Sequence, residues 1–345
     1  DVLVVGAGIA GILAAKNAAK NNLKTLLVDE KNELGGATIF QNREFNKIEN
    51  QSSSDWLKKE IQGLKDIENL EVKTRTSVAA YHGYNYLLAR ENLTDHLEKK
   101  DKQGKIRQRL LKIRAKKVIL ATGALERPLI FNNNDRPGIM LSSAVNEYAD
   151  FYGVVCGQKT VFFTNNDSAY ESAFCLHNKG IKVEAIIDIR DNSNSKIVKA
   201  VEDAGIKIHW SHTVVDTSGY KKLKNISVMR LSNDGMSVTG NRIKISSDCL
   251  GVSGGWTTAV HLFTQSGGKL SFDEENKIFL PNKYPSEQIS IGSCNGDFEI
   301  SEIIKNLSKE LKEFLKIEQT DFDNISVDSD YDRSKRNIWL LPSDK

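Results

Sequence analysis

The stretch Asp1-Val-Leu-Val-Val-Gly6-Ala-Gly8-Ile-Ala-Gly11 opens the chain and decides its fold. Val2 to Val5 form an apolar, β-branched run of strand length, and residues 9–20 carry apolar residues at helical spacing. A second apolar run over 26–28 ends in two acidic residues. Three glycines at G-x-G-x-x-G spacing between a strand and a helix, followed by a strand with an acidic end, predict a dinucleotide-binding fold.

Each glycine of this fingerprint has a physical task. Gly6 lets the chain turn sharply out of the strand, Gly8 lets the backbone approach a pyrophosphate, and Gly11 lets the helix pack closely on the sheet. The helix N-terminus offers free N–H groups and the positive end of its dipole to the phosphates. Asp29 or Glu30 can accept hydrogen bonds from ribose hydroxyls and would repel a 2′-phosphate, which favours NAD or FAD over NADP.

Two later turns belong to the same predicted fold. Residues 117–120 form a buried-strand run that leads into Ala121-Thr122-Gly123, where Gly123 permits a close backbone approach. The last predicted strand ends at Gly292-Ser293. FAD enzymes of this architecture usually carry Gly-Asp there, and the Asp holds the ribityl chain. Ser293 therefore favours NAD in the first fold, with FAD in that fold as the alternative.

The cysteines exclude one kind of redox chemistry. Gly35 and Gly36 follow the acidic strand end, as in two-domain flavoprotein disulfide reductases, but no cysteine pair comes after them. Disulfide-reductase chemistry is excluded because its nucleophile is missing. The four cysteines are scattered, so we expect free thiols and no zinc site.

A second strand–helix–strand unit begins near Gly157, with strands over 159–163 and 182–187. Its turn, Thr164-Asn-Asn-Asp-Ser168, has no glycine and carries Asp167 where a phosphate would lie. We therefore expect this unit to bind no nucleotide. Asp167 or Ser168 is expected to cap the helix that follows.

Length and charge bound the organisation of the chain. Its 345 residues suffice for two domains. We expect a first dinucleotide-binding domain over 1–150 and 275–320, an inserted nucleotide fold over 151–274, and a linker over 321–345 that leads to a further domain. The 48 basic and 45 acidic residues nearly balance, which gives no reason to expect a nucleic-acid or membrane partner. No apolar run approaches the roughly 20 residues that span a bilayer, and we expect a cytoplasmic protein.

Two stretches predict surface features. Residues 106–113 alternate basic and apolar side chains, which is typical of a half-exposed strand. Residues 254–270 combine glycines with Trp256, His261, Leu262 and Phe263. We expect that loop to contact a partner rather than open water.

Several stretches together resemble the alpha subunit of heterotetrameric sarcosine oxidase. They are 6–11, 107–115, 121–128, 134–137, 164–170 and 253–270. The resemblance implies an α/β fold with two Rossmann-like, glutathione-reductase-like three-layer domains, the second inserted in the first. It implies NAD in the first fold, partner beta, gamma and delta subunits, FAD on beta, covalent FMN near the alpha–beta interface, and tetrahydrofolate in a further alpha domain. The whole complex would oxidise sarcosine to glycine and form hydrogen peroxide and 5,10-methylenetetrahydrofolate.

The expected cofactor contacts come from two sources. Carried over residue by residue, the resemblance gives Ala10, Asp29, Glu30, Lys31, Ala37, Val78, Ser293, Phe298 and Ile300. The glycine turns give Gly6, Gly8, Ile9, Gly11, Gly36, Thr122, Gly123 and Gly292. We expect no catalytic residue and no metal ligand in this chain, and no sarcosine oxidation by it alone. The alternative function is a stand-alone FAD-dependent pyridine-nucleotide oxidoreductase, for which only the doubled fold argues.

Overall fold

The computed structural model describes residues 1–39, 45–285, 287–329 and 335–344. The helices are α1 Ile9–Lys20, α2 Ser53–Gly63, α3 Lys99–Lys102, α4 Ser142–Asp150, α5 Ser168–Asn178, α6 Lys196–Asp203, α7 His261–Gln265 and α8 Ile300–Leu315. Short 3-10 turns lie at Gly36–Ile39, Leu64–Asp66 and Gly292–Asn295.

The strands in part alternate with these helices and in part follow one another directly, as in 70–92 and 208–258. They are β1 Val2–Val5, β2 Thr25–Val28, β3 Asn46–Ile48, β4 Gln51–Ser52, β5 Leu70–Lys73, β6 Thr76–His82, β7 Tyr86–Asn92, β8 Gln108–Arg114, β9 Lys117–Leu120, β10 Ala124–Glu126, β11 Ile139–Leu141, β12 Thr160–Thr164, β13 Val183–Asp188, β14 Ile208–His209, β15 His212–Ser218, β16 Asn225–Leu231, β17 Val238–Ser246, β18 Cys249–Ser253, β19 Trp256–Thr258, β20 Lys269–Asp273, β21 Ile278–Lys283, β22 Gln288–Ser290 and β23 Val327–Ser329.

The chain forms two compact units, one of residues 1–125 and 257–329, the other of 126–256 and 330–345. The second unit is thus inserted in the first, as the sequence predicts, but the predicted boundaries at 150 and 274 fall too late. Residues 126–150 lie in the second unit because β11 joins its sheet. The predicted linker over 321–345 is also divided: β23 pairs with β3 in the first unit, and the described residues 335–344 belong to the second.

The first unit is built on a parallel sheet in the order β22-β9-β1-β2-β5. β1 lies at its centre, and all four of its side chains are buried. Val2 and Val4 pack with α1 and α8, whereas Leu3 and Val5 pack with β6, β7 and α7 on the opposite face. Because side chains alternate along a strand, this central strand supports a layer on each face, which gives the three-layer architecture.

Helix α8 covers one face of this sheet with a regular apolar stripe. Its buried residues recur at intervals of three and four: Ile300, Ile303, Ile304, Leu307, Leu311 and Leu315. This spacing places them on one side of a helix. Helix α1 packs beside α8, and its buried alanines at 14, 15 and 18 belong to the same core as the apolar stripe of α8.

The second unit repeats the plan with a parallel sheet in the order β11-β18-β12-β13-β14. An antiparallel sheet, β15-β16-β17, packs with it around a core that includes Phe163, Ile187 and Val228. Helix α4 begins after Leu141, which offers no capping side chain. Glu126 supplies the cap instead, since its Oε2 accepts a hydrogen bond from Ser143 N at 2.8 Å. Burial raises the pKa of Glu126.

Candidate dinucleotide-binding site

The fingerprint turn lies at the carboxyl end of β1, where Gly6 has a φ of +100°. A Cβ on Gly6 would lie 2.2 Å from Ala121 O, and a Cβ on Gly11 would lie 1.8 Å from Gly6 O. Neither position can hold a side chain, because both would meet backbone atoms. These two glycines therefore fix the turn and the seating of α1 on the sheet, as the sequence predicts.

Gly8 differs from its neighbours because a Cβ there would meet nothing within 4 Å. Its backbone has a φ of −73°, which any residue can adopt. The packing of the described protein therefore does not require a glycine at this position. A ligand lying against the backbone at the start of α1 would require one, and the first turn of α1 contains no acidic residue to repel a phosphate.

Two further glycine turns meet the start of α1. A Cβ on Gly36 would lie 2.9 Å from Gly8 Cα, and a Cβ on Gly292 would lie 2.9 Å from Ala10 Cβ. Both glycines have a positive φ, +56° and +66°. The structure thus brings together three glycine turns, at 6–11, 35–36 and 292, that are far apart in the sequence.

Asp29 has a structural task that the sequence analysis missed. Its Oδ2 accepts a hydrogen bond from Ala7 N at 2.6 Å, and its Oδ1 accepts one from Lys31 N at 2.8 Å. The carboxylate therefore ties the fingerprint turn to the end of β2. Glu30 is exposed beside it. Of the two candidate ribose acceptors, Glu30 is the one not already bound to these backbone amides.

The two turns at 121–123 and 292–295 share a buried thiol. Thr122 donates through Oγ1 to Ala259 O at 2.7 Å, and Gly123 has a φ of +74° with nothing within 4 Å of a Cβ. The Cys294 Sγ lies 3.2 Å from the carbonyl oxygens of Leu120 and Ile291. Burial raises the pKa of this thiol, so it is a structural link between the turns rather than a reactive group.

The remaining expected contacts lie around the same end of the sheet. Lys31 and Ala37 are exposed, Val78 and Phe298 are half-buried, and Ser293 is half-buried in its 3-10 turn. Thr76 N donates to Asp29 O at 2.7 Å, which holds the start of β6, two residues before Val78, to the end of β2. Ile300 is 4% exposed and packs in the core. Its side chain is therefore unavailable, and any ligand contact there would use its backbone at the start of α8.

A pair of carboxyl groups lies just beyond Ser293. Asn306 Nδ2 donates to Asp297 Oδ1 at 2.7 Å, and Asn295 Nδ2 donates to Glu310 Oε1 at 3.0 Å. The second oxygen of each carboxyl is buried without a hydrogen-bond partner among the described residues. Burial raises the pKa of Glu310 to about 7, with a further contribution from the charge of Asp297. Burial, aided by Glu302, raises the pKa of Asp297 to about 6.

Side chains of the glycine-free turn in the second unit form hydrogen bonds within that turn. Asn166 Oδ1 accepts a hydrogen bond from Ser168 N at 2.9 Å, at the first residue of α5. The expectation that Asp167 or Ser168 would cap α5 is wrong, because neither side chain caps the helix. Asn166 takes that role, and its Nδ2 also donates to Ser253 O at 3.3 Å.

Asp167 instead joins a buried ion cluster. Arg190 Nη2 lies 2.7 Å from Asp167 Oδ1 and 2.7 Å from Asp188 Oδ2, and Tyr170 donates its hydroxyl to Asp188 Oδ2 at 2.8 Å. Arg190 is 5% exposed. Its burial acts to lower its pKa, but the charges of the two carboxylates outweigh that effect and raise it. The guanidinium therefore stays charged beside the turn.

The sequence patterns do not predict the roles of Arg190 and Asp188, although one signal is present. Asp188 is the last residue of β13, and Asp29 is the residue that follows β2. Asp188 therefore occupies the position in the second fold that corresponds to the ribose-binding position. In this chain that carboxylate is 0% exposed and bound to Arg190.

The predicted loop over 254–270 contains strand β19 and helix α7, and its residues differ in exposure. Phe263 is 1% exposed, and a Cβ on Gly268 would lie 2.4 Å from its ring. Gln265 Oε1, in the same helix α7, accepts a hydrogen bond from Tyr81 N at 3.1 Å. Trp256 donates its Nε1 to Ser168 Oγ at 2.8 Å within the second unit. The expectation that Phe263 contacts a partner is wrong, because this side chain belongs to the core.

Other features lie away from the glycine turns. Two cavities lie in the first unit. One of about 550 Å³ is lined by residues 21, 23 and 315–319, and one of about 390 Å³ lies beside β1, β2 and β5. Neither cavity is lined by a fingerprint glycine. In the described part of the chain, no group of three or more His, Cys, Asp or Glu side chains could hold a metal ion. No described helix is long and apolar enough to cross a membrane.

Two nested nucleotide folds with a fingerprint turn in the first define a dinucleotide-binding oxidoreductase fold. The chain matches the family described as pyridine nucleotide-disulphide oxidoreductase over residues 1–289, and it belongs to that family. Among the described residues, none of the cysteines at 156, 175, 249 and 294 forms a disulfide.

Known proteins confirm the resemblance found in the sequence. The chain is 37% identical over 301 residues, 87% of its length, to a sarcosine oxidase subunit alpha from Corynebacterium sp. (strain P-1). It spans about 30% of the length of the curated relatives it matches. Among solved structures it is similar to L-proline dehydrogenase from P. horikoshii, with a TM-score of 0.66, 20% identity, and coverage of 95% of this chain and 59% of that one. Thioredoxin reductase from T. acidophilum gives a TM-score of 0.64 at 19% identity, with coverage of 91% and 96%.

Proposed function

We propose that this chain is the NAD-binding portion of an alpha subunit of a sarcosine oxidase complex. The observation that carries the proposal is the meeting of three glycine turns at the start of α1, with open space over Gly8. Backbone amides and the helix dipole favour a pyrophosphate at such a place. The similarity to curated sarcosine oxidase alpha subunits supports the choice of complex.

The residues around the turns have distinct roles in this proposal. The backbone of 8–11 holds the pyrophosphate, and Glu30 accepts from the adenosine ribose while Asp29 holds the turn. Val78 lies beside the adenine. Ser293, Phe298 and the backbone of Ile300 contact the other half of the dinucleotide. NAD is favoured over FAD because Ser293 cannot replace the carboxylate that holds a ribityl chain.

The chemistry of the complex is assigned to its other parts. In the proposal, the beta subunit carries FAD and covalent FMN, gamma and delta complete the heterotetramer, and tetrahydrofolate binds a further alpha domain. The complex converts sarcosine to glycine with hydrogen peroxide and 5,10-methylenetetrahydrofolate as products. We assign no catalytic residue to this chain. Incubated alone with sarcosine it should form no peroxide, and peroxide formation would contradict the proposal.

The test is to identify the bound cofactor. The purified protein is denatured by heat, and the released ligand is identified by mass and quantified against protein. NAD at one equivalent supports the proposal, whereas FAD at one equivalent contradicts it. FAD would favour the second candidate, a stand-alone flavin-dependent pyridine-nucleotide oxidoreductase. That candidate is supported by the doubled fold shared with solved thioredoxin reductases.

A further inference from the structure

Strand β8 is the edge of the three-stranded antiparallel sheet β6-β7-β8. It pairs with β7 on one side, and no other described strand pairs with its second side. Residues 103–110, which lead into and include the start of the strand, are all exposed. An edge of this kind presents unpaired N–H and C=O groups to any chain that can extend beside it.

The register with β7 determines which backbone groups face outward. Leu93 N donates to Arg107 O just before the strand, and Ala115 N donates to Asn85 O just after it. Hydrogen-bonded positions alternate in an antiparallel pair, so the odd-numbered residues of β8 bond to β7. The residues whose N–H and C=O groups face the free edge are Gln108, Leu110, Lys112 and Arg114.

The segment around β8 concentrates positive charge in a chain that is otherwise balanced. Residues 99–117 contain ten lysines and arginines and one acidic residue. Asp95 and Glu91 partly neutralise the beginning of the strand, through Arg107 and Arg109. Among the described residues, Lys112 and Arg114 have no ion-pair partner, and Arg114 lies over an aromatic ring at 5.7 Å. Two copies of this edge would repel each other, which disfavours self-association.

The two faces of β8 have different chemistry. Leu110, Lys112 and Arg114 are exposed on one face. On the other face Leu111 is half-buried, and Ile113 packs against the core of the first unit. Cross-strand neighbours share a face, so an added strand would place one set of side chains beside the cations and the other beside Leu111 and Ile113.

We propose that β8 is a docking edge for an extended, acidic segment of a partner protein. The segment adds a fourth strand to β6-β7-β8. Its sequence alternates acidic with apolar residues, because one face meets Lys112 and Arg114 and the other meets Leu111 and Ile113. Main-chain hydrogen bonds supply the attraction common to all strand additions, and the charges select the partner.

The experiment uses a fluorescent eight-residue peptide of alternating Glu and Val as the probe. Its comparison is a peptide of the same composition with four Glu followed by four Val. Binding to the purified protein is followed by fluorescence anisotropy at low salt. The alternating peptide should bind at least tenfold more tightly than the block peptide. Equal affinities would overturn the proposal, since charge without strand pairing would then explain the binding.

Three substitutions complete the test. Lys112→Glu should weaken binding of the alternating peptide at least tenfold, whereas Lys99→Glu, which reverses an exposed charge off the strand, should change it less than twofold. Leu110→Pro removes an outward N–H that β7 does not use, and should also weaken binding. Equal effects of Lys112→Glu and Lys99→Glu, or unchanged binding by Leu110→Pro, would refute the docking edge. Binding of a twelve-residue oligothymidylate as tight as that of the peptide would assign the surface to nucleic acid instead and refute the proposal.

Discussion

At Gly8 the side chain is a hydrogen atom, and the space above it is empty of protein. Gly8→Val should therefore leave the fold intact and abolish NAD binding, because the added methyl groups occupy the pyrophosphate position. We expect affinity to fall at least about 100-fold, or about 2.7 kcal/mol. Isothermal titration with NAD measures the loss, and thermal unfolding checks the fold.

A matched control is available at Gly63, the last residue of α2. A Cβ on Gly63 also meets nothing within 4 Å, and its φ of −67° suits any residue. Gly63→Val should keep both the fold and the affinity for NAD. If Gly8→Val binds NAD as well as Gly63→Val does, the pyrophosphate does not lie over Gly8.

At Arg190 a single guanidinium forms ion pairs with two buried carboxylates. Arg190→Met should destabilise the protein by about 3–5 kcal/mol, because Asp167 and Asp188 are left buried without a cation. Lys100→Met, which breaks the exposed pair with Glu98, should cost less than about 0.5 kcal/mol. Urea unfolding of both variants measures the difference, and equal losses would show that the cluster contributes little to stability.

Helix α8 carries a pH-dependent contribution to stability at Glu310. Because the folded state raises the pKa of this carboxyl to about 7, it binds the proton more tightly than the unfolded state does. The contribution of this carboxyl to the free energy of unfolding is fully present below its pKa in the unfolded state. That contribution is lost as the pH rises toward about 7. Glu310→Gln should therefore stabilise the protein at pH 8 by about 1–2 kcal/mol, allowing for partial exposure to water, and flatten the pH profile between 5 and 7.5.

Urea unfolding as a function of pH tests this element. Glu318→Gln, at an exposed position just after the same helix, serves as the comparison and should leave the pH profile unchanged. Asp297→Asn should flatten the lower part of the profile, since burial raises the pKa of Asp297 to about 6. A wild-type profile that is flat from pH 5 to 8 would contradict the proposed role of the pair.

Elements with a strong local pattern could be predicted from the sequence, whereas contacts between distant elements could not. The continuous apolar run of β1 and the apolar stripe of α8 predict these two elements, because β1 is buried on both faces and α8 buries one face against the sheet. The cap of α4 by Glu126 and the clamp of Asp29 on Ala7 join residues that are 17 and 22 positions apart. No local sequence rule pairs residues that are so far apart. The sequence therefore predicts a ligand contact for Asp29 but not its hydrogen bond with Ala7.

At the scale of the whole molecule, the same fold occurs twice, and the two central turns are built differently. In the first unit the turn is held by glycines and leaves space over Gly8. In the second unit Asn166 occupies the first amide of α5, and Arg190 lies against Asp167. The missing glycines of the second turn predict that it binds no nucleotide, and the hydrogen bond of Asn166 and the ion pair of Asp167 are physical arguments for that prediction.

One nucleotide per chain is therefore expected. Isothermal titration of NADH should give a stoichiometry near one, and Gly8→Val should reduce it to zero rather than reveal a weaker second site. A phosphate at the second turn would meet the carboxylate of Asp167, and Arg190 offers it little compensation because its guanidinium already pairs with two almost completely buried carboxylates. Repulsion of like charges at close range costs on the order of 1 kcal/mol or more, depending on the local dielectric. Saturable binding of two equivalents, or of one equivalent that survives Gly8→Val and is lost on Asn166→Ala, would show that the second fold is the working site.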